Sequence, residues 1–256
     1  MMQLGHSVHD YQSLVQRWRA LIAGSKLALT QIGLFDDFPI FEIHNRKPLQ
    51  GASGLYLSAG IHGDEPASCW ALLQWAEKNL EVLGSVPHRL FPCLNPWGLV
   101  NNCRFDKQGH DLNRIWDNPK SPLLCSISSR LRGCSFGLSL NLHEDYDANG
   151  IYLYEPYISG KNDLLAGEIL KAGQRILPID SRKRIDGRVS KDGIIRPRIS
   201  NPPSDGMPEA IYLVANHGRR HFTLETPSEE SFGKRVKSQV RMIEKATHQI
   251  FKIKRN

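Results

Sequence analysis

Between residues 7 and 24, Tyr11, Leu14, Val15, Trp18, Leu21 and Ile22 recur at spacings of three and four, which gathers them on one face of an amphipathic helix. The pattern then shortens. Residues 27–35 and 38–44 are runs rich in strand formers, broken by Asp36-Asp37 and Pro39. Residues 54–59 are an apolar run ending at Gly60, so three successive strands are expected. Pro66 stands where a first helical turn tolerates it, and the helical pattern behind it runs on until Gly84. A strand is expected at 89–94. Residues 95–122, rich in Asn, Gly, Pro and Asp, read as one long loop, and long loops inside compact domains are usually functional.

Strand character resumes at 137–142 and 150–154, residues 163–176 are helical, and 181–208 are polar and irregular. Residues 209–214 and 221–224 are the last expected strands. Phe232, Val236, Val240, Ile243 and the Ile250-Phe251 pair then mark a final amphipathic helix. Helices and strands alternate without an internal repeat. The expected fold is a three-layer α/β/α sandwich around a mixed, mostly parallel central sheet, one domain over residues 1–256, with ligands at the carboxyl ends of the strands.

Composition narrows the class. The chain has 256 residues, 40% of apolar types and 23% charged, enough for a substantial core. No apolar stretch reaches the roughly 18 residues of a membrane helix, and the first residues lack a signal peptide's basic start and apolar run, so the expected address is the cytoplasm, with no membrane partner. Five cysteines without a CxxC pair read as free thiols, mostly buried. The net charge of +7 concentrates in 181–198 and 252–256. Aspartates interleave the first of these stretches and no aromatic stacking pattern accompanies it, which describes a solvated loop and no specific nucleic-acid surface.

Four places carry candidate chemistry. The first, Gly60-Ile61-His62-Gly63-Asp64-Glu65, follows one expected strand and precedes a helix. Such a turn can aim His62 and Glu65 at one metal, with Gly60 and Gly63 expected to supply unusual backbone angles. His143 ends the apolar run Ser139-Leu-Asn-Leu. Two His and one Glu are a ligand set of catalytic zinc, whose fourth position is kept for water. Arg104 and Asp111-Leu112-Asn113-Arg114 put two guanidinium forks in the long loop, suited to a carboxylate or an oxyanion. Finally, Glu225 ends an apolar run stopped by Pro227, a place for a proton-transferring carboxylate. Any one of these alone would equally suit a surface turn or a strand end.

In this order the four pieces resemble the zinc carboxypeptidase superfamily, from Gly54 onward. The resemblance implies one zinc ion held by His62, Glu65 and His143, with Arg104 polarising the scissile carbonyl. It also implies Asn113 and Arg114 on the substrate carboxylate and Glu225 as general base and acid. The superfamily has a tyrosine that closes over substrate; Tyr146, Tyr152, Tyr154 and Tyr212 are candidates, Tyr212 placed first. The pocket selecting the substrate side chain is expected near residues 205–211. A sister group, the aspartoacylases and succinylglutamate desuccinylases, shares GxHGDE and DLNR but adds a β-rich domain after the Glu. Here 31 residues follow Glu225 (256 − 225) with a helical pattern, which favours a carboxypeptidase or an amidase of cell-wall peptides over an N-acyl amino acid deacylase. A non-catalytic basic binding module is the reading from another class. It would be expected to have lost a ligand or the Glu, and neither is missing.

Overall fold

The opening period of three and four becomes α1 (Tyr11–Ile22), which Asp10 caps by accepting from the Ser13 N–H and which buries Tyr11, Leu14 and Trp18. It belongs to a computed structural model that describes residues 7–49, 54–158, 164–200 and 204–251. The basic stretch 252–256 lies outside the described residues. Ten strands form one sheet: β1 (Ala28–Phe35), β2 (Phe38–His44), β3 (Gly54–Ala59), β4 (His88–Phe91), β5 (Phe136–Asp145), β6 (Tyr152–Tyr154), β7 (Arg184–Ile185), β8 (Arg188–Lys191), β9 (Ile194–Ile195) and β10 (His221–Pro227). Their spatial order is β1-β2-β4-β3-β5-β10-β6-β9-β8-β7. The centre, β4-β3-β5-β10, is parallel as expected. Outside it the chain returns by hairpins, so β1, β2, β7 and β8 pair antiparallel and the whole sheet is mixed.

The two faces of the central strands differ sharply, because successive side chains alternate. Leu55, Leu57, Leu138, Leu140, Leu142, Leu153, Phe222 and Leu224 lie in one apolar cluster with α1, α2 (Pro66–Lys78), α6 (Leu165–Gly173) and α8 (Phe232–Phe251). The opposite face begins apolar, with Tyr56 and Phe136 packed among residues of α5 (Pro122–Leu131) and α7 (Glu209–Asn216). Towards the carboxyl ends it turns polar: Ser58 pairs in register with Asn141, Asn141 with Thr223, and His143 with Glu225. Helices thus cover both faces of the sheet, and one face delivers polar groups to the strand ends.

Several elements depart from expectation. The helix after Pro66 ends at Lys78, where Asn79 leaves helical geometry and its side chain donates to the Trp75 carbonyl; α3 (Leu80–Ser85) follows. The stretch 95–122 contains α4 (Pro96–Asn101) and a 3-10 turn (Leu112–Arg114), and α5 begins at its end. Residues 209–216 are a helix, not a strand. Pro208 precedes its first turn, and Ile211, Leu213 and Val214 are buried. The polar segment 181–208 holds two hairpins, turned at Asp186-Gly187 and Asp192-Gly193, where all four residues take positive φ. Of the five free thiols only Cys69 and Cys93 are buried, Cys103 and Cys134 are half-buried and Cys125 is exposed. No helix among the described residues is long and apolar enough to cross a membrane.

Candidate metal centre

The turn from β3 into α2 is fixed by backbone chemistry on both sides. Gly60 sits at φ +63, the left-handed region that glycine enters without penalty, and a Cβ there would meet the Cys69 sulfur at 2.5 Å. Gly63 serves differently from the expectation, since its φ is not positive. An added Cβ would stand 1.9 Å from the Gly98 carbonyl carbon, so it is close packing of α4 that requires glycine. The Gly63 N–H donates to the Cys103 carbonyl at 3.0 Å and the Asn95 N–H to that of Gly60 at 2.7 Å. The Asn95 side chain accepts from the Gly98 N–H and donates to the Phe105 carbonyl, tying the loop that carries Arg104 to this turn. Glu65 is the residue before α2, and Pro66 opens the helix.

These constraints bring together the three expected ligands. Ligand atoms of His62, Glu65 and His143 all lie within 4.8 Å of one another, and all three residues are buried. His62 Nδ1 is 2.6 Å from Glu65 Oε1 and His143 Nδ1 is 2.9 Å from Glu65 Oε2, so both imidazoles turn the same nitrogen to one carboxylate. The other nitrogen of His62 meets Asp111 Oδ1 at 3.0 Å, which fixes the ring's direction. Burial opposes the charge on His62, but the Glu65 and Asp111 carboxylates outweigh it and raise its pKa to about 9. Burial keeps His143 below its usual range despite Glu65. Glu65, though buried, is held below the usual carboxylate range by the two imidazoles. A buried carboxylate and two imidazoles converging in this way form a donor set suited to a divalent cation of zinc's borderline character.

Glu225 stands beside this cluster because β10 runs parallel to β5 with Glu225 in register with His143. On its other side it pairs with Tyr152 of β6. Its carboxylate makes no hydrogen bond or ion pair among the described residues. Burial, then the negative charges of Glu65, Asp145 and Asp186, push its pKa well above the ordinary carboxylate value. Arg104 reaches the same place: Nε and Nη2 donate to Asp111 Oδ2 at 3.1 and 2.9 Å, and Nη1 is 3.8 Å from Glu65.

Asn113 and Arg114 follow Asp111 on the 3-10 turn. Asn113 Oδ1 accepts the Glu209 N–H at the start of α7 at 2.9 Å. Arg114 donates through Nε to Asp205 at 2.7 Å and through Nη1 to the Asn113 carbonyl at 3.0 Å. Tyr212 is not brought to the metal cluster. Its ring packs on Trp116 and His217, at 5.4 and 5.6 Å between centroids, in a groove it shares with Cys125 and Ser129. Of the other tyrosines, Tyr152 is beside Glu225 and donates to Asp145 at 2.9 Å, Tyr154 donates to Asp186 at 2.7 Å, and Tyr146 is largely exposed just past the end of β5.

Residues 52–125 match the family model of the succinylglutamate desuccinylase/aspartoacylase catalytic domain. A 77-residue stretch is 34% identical to cytosolic carboxypeptidase 1 of Danio rerio, covering 27% of this chain; the chain spans 7% of that relative's length. Among solved structures, a candidate metallopeptidase from Shewanella denitrificans superposes with a TM-score of 0.84 at 22% identity, over 96% of this chain and 92% of that one. A metallo-carboxypeptidase from Burkholderia cenocepacia gives 0.68 at 14% identity, over 94% of this chain and 69% of the other. The family match thus covers the stretch that carries His62, Glu65, Arg104, Asn113 and Arg114. These solved structures share its fold.

Within this fold, several residues that support the site carry no motif of their own. Glu144, next to His143, is buried; it accepts the Ala67 N–H of α2 at 2.7 Å and pairs with Arg235 of α8. Its own backbone N–H donates to Glu65 Oε2 at 3.0 Å. Gln239 of α8 donates to the His143 carbonyl at 2.8 Å and to Thr226 at 2.9 Å, pinning the ends of β5 and β10 together. Asp111 was legible as part of DLNR, though its bond to His62 was not. Glu144 and Gln239 act across long sequence separations, and nothing local marks them.

Proposed function

We propose that this chain is a zinc-dependent hydrolase of amide bonds that lie next to a free carboxylate in a small peptide. The observation that carries the reading is the convergence of His62, Glu65 and His143 with an unpaired, buried Glu225 in register beside His143. Zinc, when bound, supplies positive charge that polarises a carbonyl and acidifies water. Glu225 is a carboxyl whose surroundings favour holding a proton. It takes one from the attacking water at its carboxylate and hands it to the leaving nitrogen. Arg104 directs its guanidinium towards the same pocket, where it steadies the negative charge growing on the carbonyl oxygen. Arg114 leaves Nη2 without a partner among the described residues, and Asn113 retains its amide nitrogen; together they offer donors to a substrate carboxylate.

Cleavage of N-acyl amino acids is the second reading, favoured by the match of residues 52–125 to the desuccinylase/aspartoacylase family. Incubating zinc-loaded protein with peptides bearing a free carboxyl terminus, cell-wall tripeptides and N-acyl amino acids separates the two. Preference for peptides supports the first reading, and cleavage of N-acyl amino acids alone replaces it with the second. Glu225→Gln should keep the metal and lower kcat/KM by about 10²–10⁴-fold, the usual contribution of a positioned proton-transfer group. Undiminished turnover in that variant would remove Glu225 from the mechanism.

A further inference from the structure

The groove in which Tyr212 packs takes no part in the mechanism above. Its volume is about 430 Å³, within the roughly 300–1,000 Å³ of small-molecule sites. Cys125, Ser128, Ser129 and Arg132, at spacings that share one helical face, line it from α5 and its end. Tyr212 and Asn216, one turn apart on α7, and His217 at the end of that helix line it from the other side. Both helices lead into the strands that follow them, α5 into β5 and α7 into β10, and the Phe136 N–H donates to the His217 carbonyl at 2.7 Å. His143 and Glu225 stand at the other ends of those two strands. The groove is therefore separate from the metal centre.

Its chemistry has three parts. The first is aromatic: Tyr212 is half-buried, held by Trp116 and His217, and offers the remainder of its ring to the groove. The second is His217, which is 8% exposed and whose Nδ1 lies 3.1 Å from the Cys134 carbonyl. A carbonyl only accepts, so Nδ1 carries a proton, and burial keeps the ring neutral by lowering its pKa. Nε2 is then a buried lone-pair acceptor without a partner, and it calls for an N–H donor. The third is charge. Residues 121–135 and 210–220, which include every lining residue, hold Arg130, Arg132, Arg219 and Arg220 and no Asp or Glu. Arg130 is taken by Glu42, whereas Arg132 has no ion pair among the described residues, and the Ser128 hydroxyl one turn before it has no hydrogen bond among them. The carboxyl ends of α5 and α7 contribute only about half a negative charge each, which the full guanidinium charges exceed.

We propose that this groove is a binding site for a small planar aromatic amine that bears an anionic group, the chemistry shared by adenine nucleotides and aminobenzoates. The ring stacks on Tyr212, the amino group donates to His217 Nε2, and the anion is held by Arg132 and the Ser128 hydroxyl. Nε2 has almost no exposure of its own, so the ligand reaches it by shifting Tyr212, the lining residue whose ring packs on His217. Each part of such a ligand answers a group that the protein leaves unpaired. An inorganic anion would use Arg132 alone, and an uncharged aromatic would leave it without a partner.

Calorimetry on the metal-loaded protein tests it with two sets of probes: AMP, IMP, adenosine and inorganic phosphate, and 4-aminobenzoate with benzoate and aniline. At least one of AMP and 4-aminobenzoate should bind about tenfold tighter than its counterpart without the amine and its counterpart without the anion, the size of one hydrogen bond or charge contact. Which of the two binds tells the nucleotide from the aminobenzoate. Arg132→Ala, a change at an exposed residue, should weaken that probe by a similar factor. An anion that instead sits on the metal would bind the variant as well as the parent. No saturable binding of either probe overturns the proposal on the parent protein alone. So does phosphate binding as tightly as AMP with 4-aminobenzoate no tighter than benzoate, or an affinity that Arg132→Ala leaves unchanged.

Discussion

Glu144 and Glu209 are both buried carboxyls with pKa values raised to about 7, and burial is the first cause in each. Their surroundings separate them. Arg235 faces Glu144 and the Ala67 N–H bonds it, so its charge has a counterpart that holds α8 and α2 to the end of β5. Glu209 has no ion pair among the described residues, and only the charge of His62 acts on it. A carboxyl whose folded pKa exceeds its unfolded value adds stability that is complete below about 4.5, and this stability is lost as pH rises towards 7. Replacing Glu209 by Gln keeps an acceptor for Tyr56 and removes the charge. The variant should therefore melt higher than the parent at pH 8, by on the order of 2 kcal/mol of stability, and show no gain at pH 4. Thermal melts at the two pH values decide it, and an equal shift at both would mean that charge burial is not the cause.

At the scale of elements, the tightest constraint is the approach of α4 to the β3–α2 turn. Gly63→Ala would force a Cβ into the Gly98 backbone, where no flexible side chain can give way. The expected cost is about 1–3 kcal/mol or more, with loss of metal affinity because the turn carries both His62 and Glu65. A denaturation midpoint and metal content equal to the parent's would contradict the role given to this contact. The turn itself was legible in the sequence, since a strand period, glycines and Pro66 all fall within a dozen residues. So were the ends of β5 and β10, each an apolar run with its chemistry at the last position. Helix α7 was not: its apolar run is too short for the period to separate helix from strand. Glu209 was accordingly read as a strand end, with no hint of its burial. Other signals were present but unused. Asn95-Pro96 and Ser121-Pro122 are cap-and-proline starts for α4 and α5, and Asp186-Gly187 and Asp192-Gly193 are hairpin turns.

For the whole molecule, one sheet joins these parts by using its two faces differently. The apolar face seats α2, α6 and α8 and fixes the strands, and the other carries polar residues up to the strand ends, where the loops add Asp111, Arg104 and Arg114. The register that puts Glu225 beside His143 arises from parallel pairing across distant sequence, which no local pattern reveals. That arrangement has one central requirement: the pocket formed by His62, Glu65 and His143 must bind a metal. Elemental analysis of the purified parent and of His143→Ala, each confirmed as folded by circular dichroism, tests it directly. One equivalent of zinc in the parent and far less in the variant is the expected result. A full equivalent retained by folded His143→Ala would place the metal elsewhere and contradict the account.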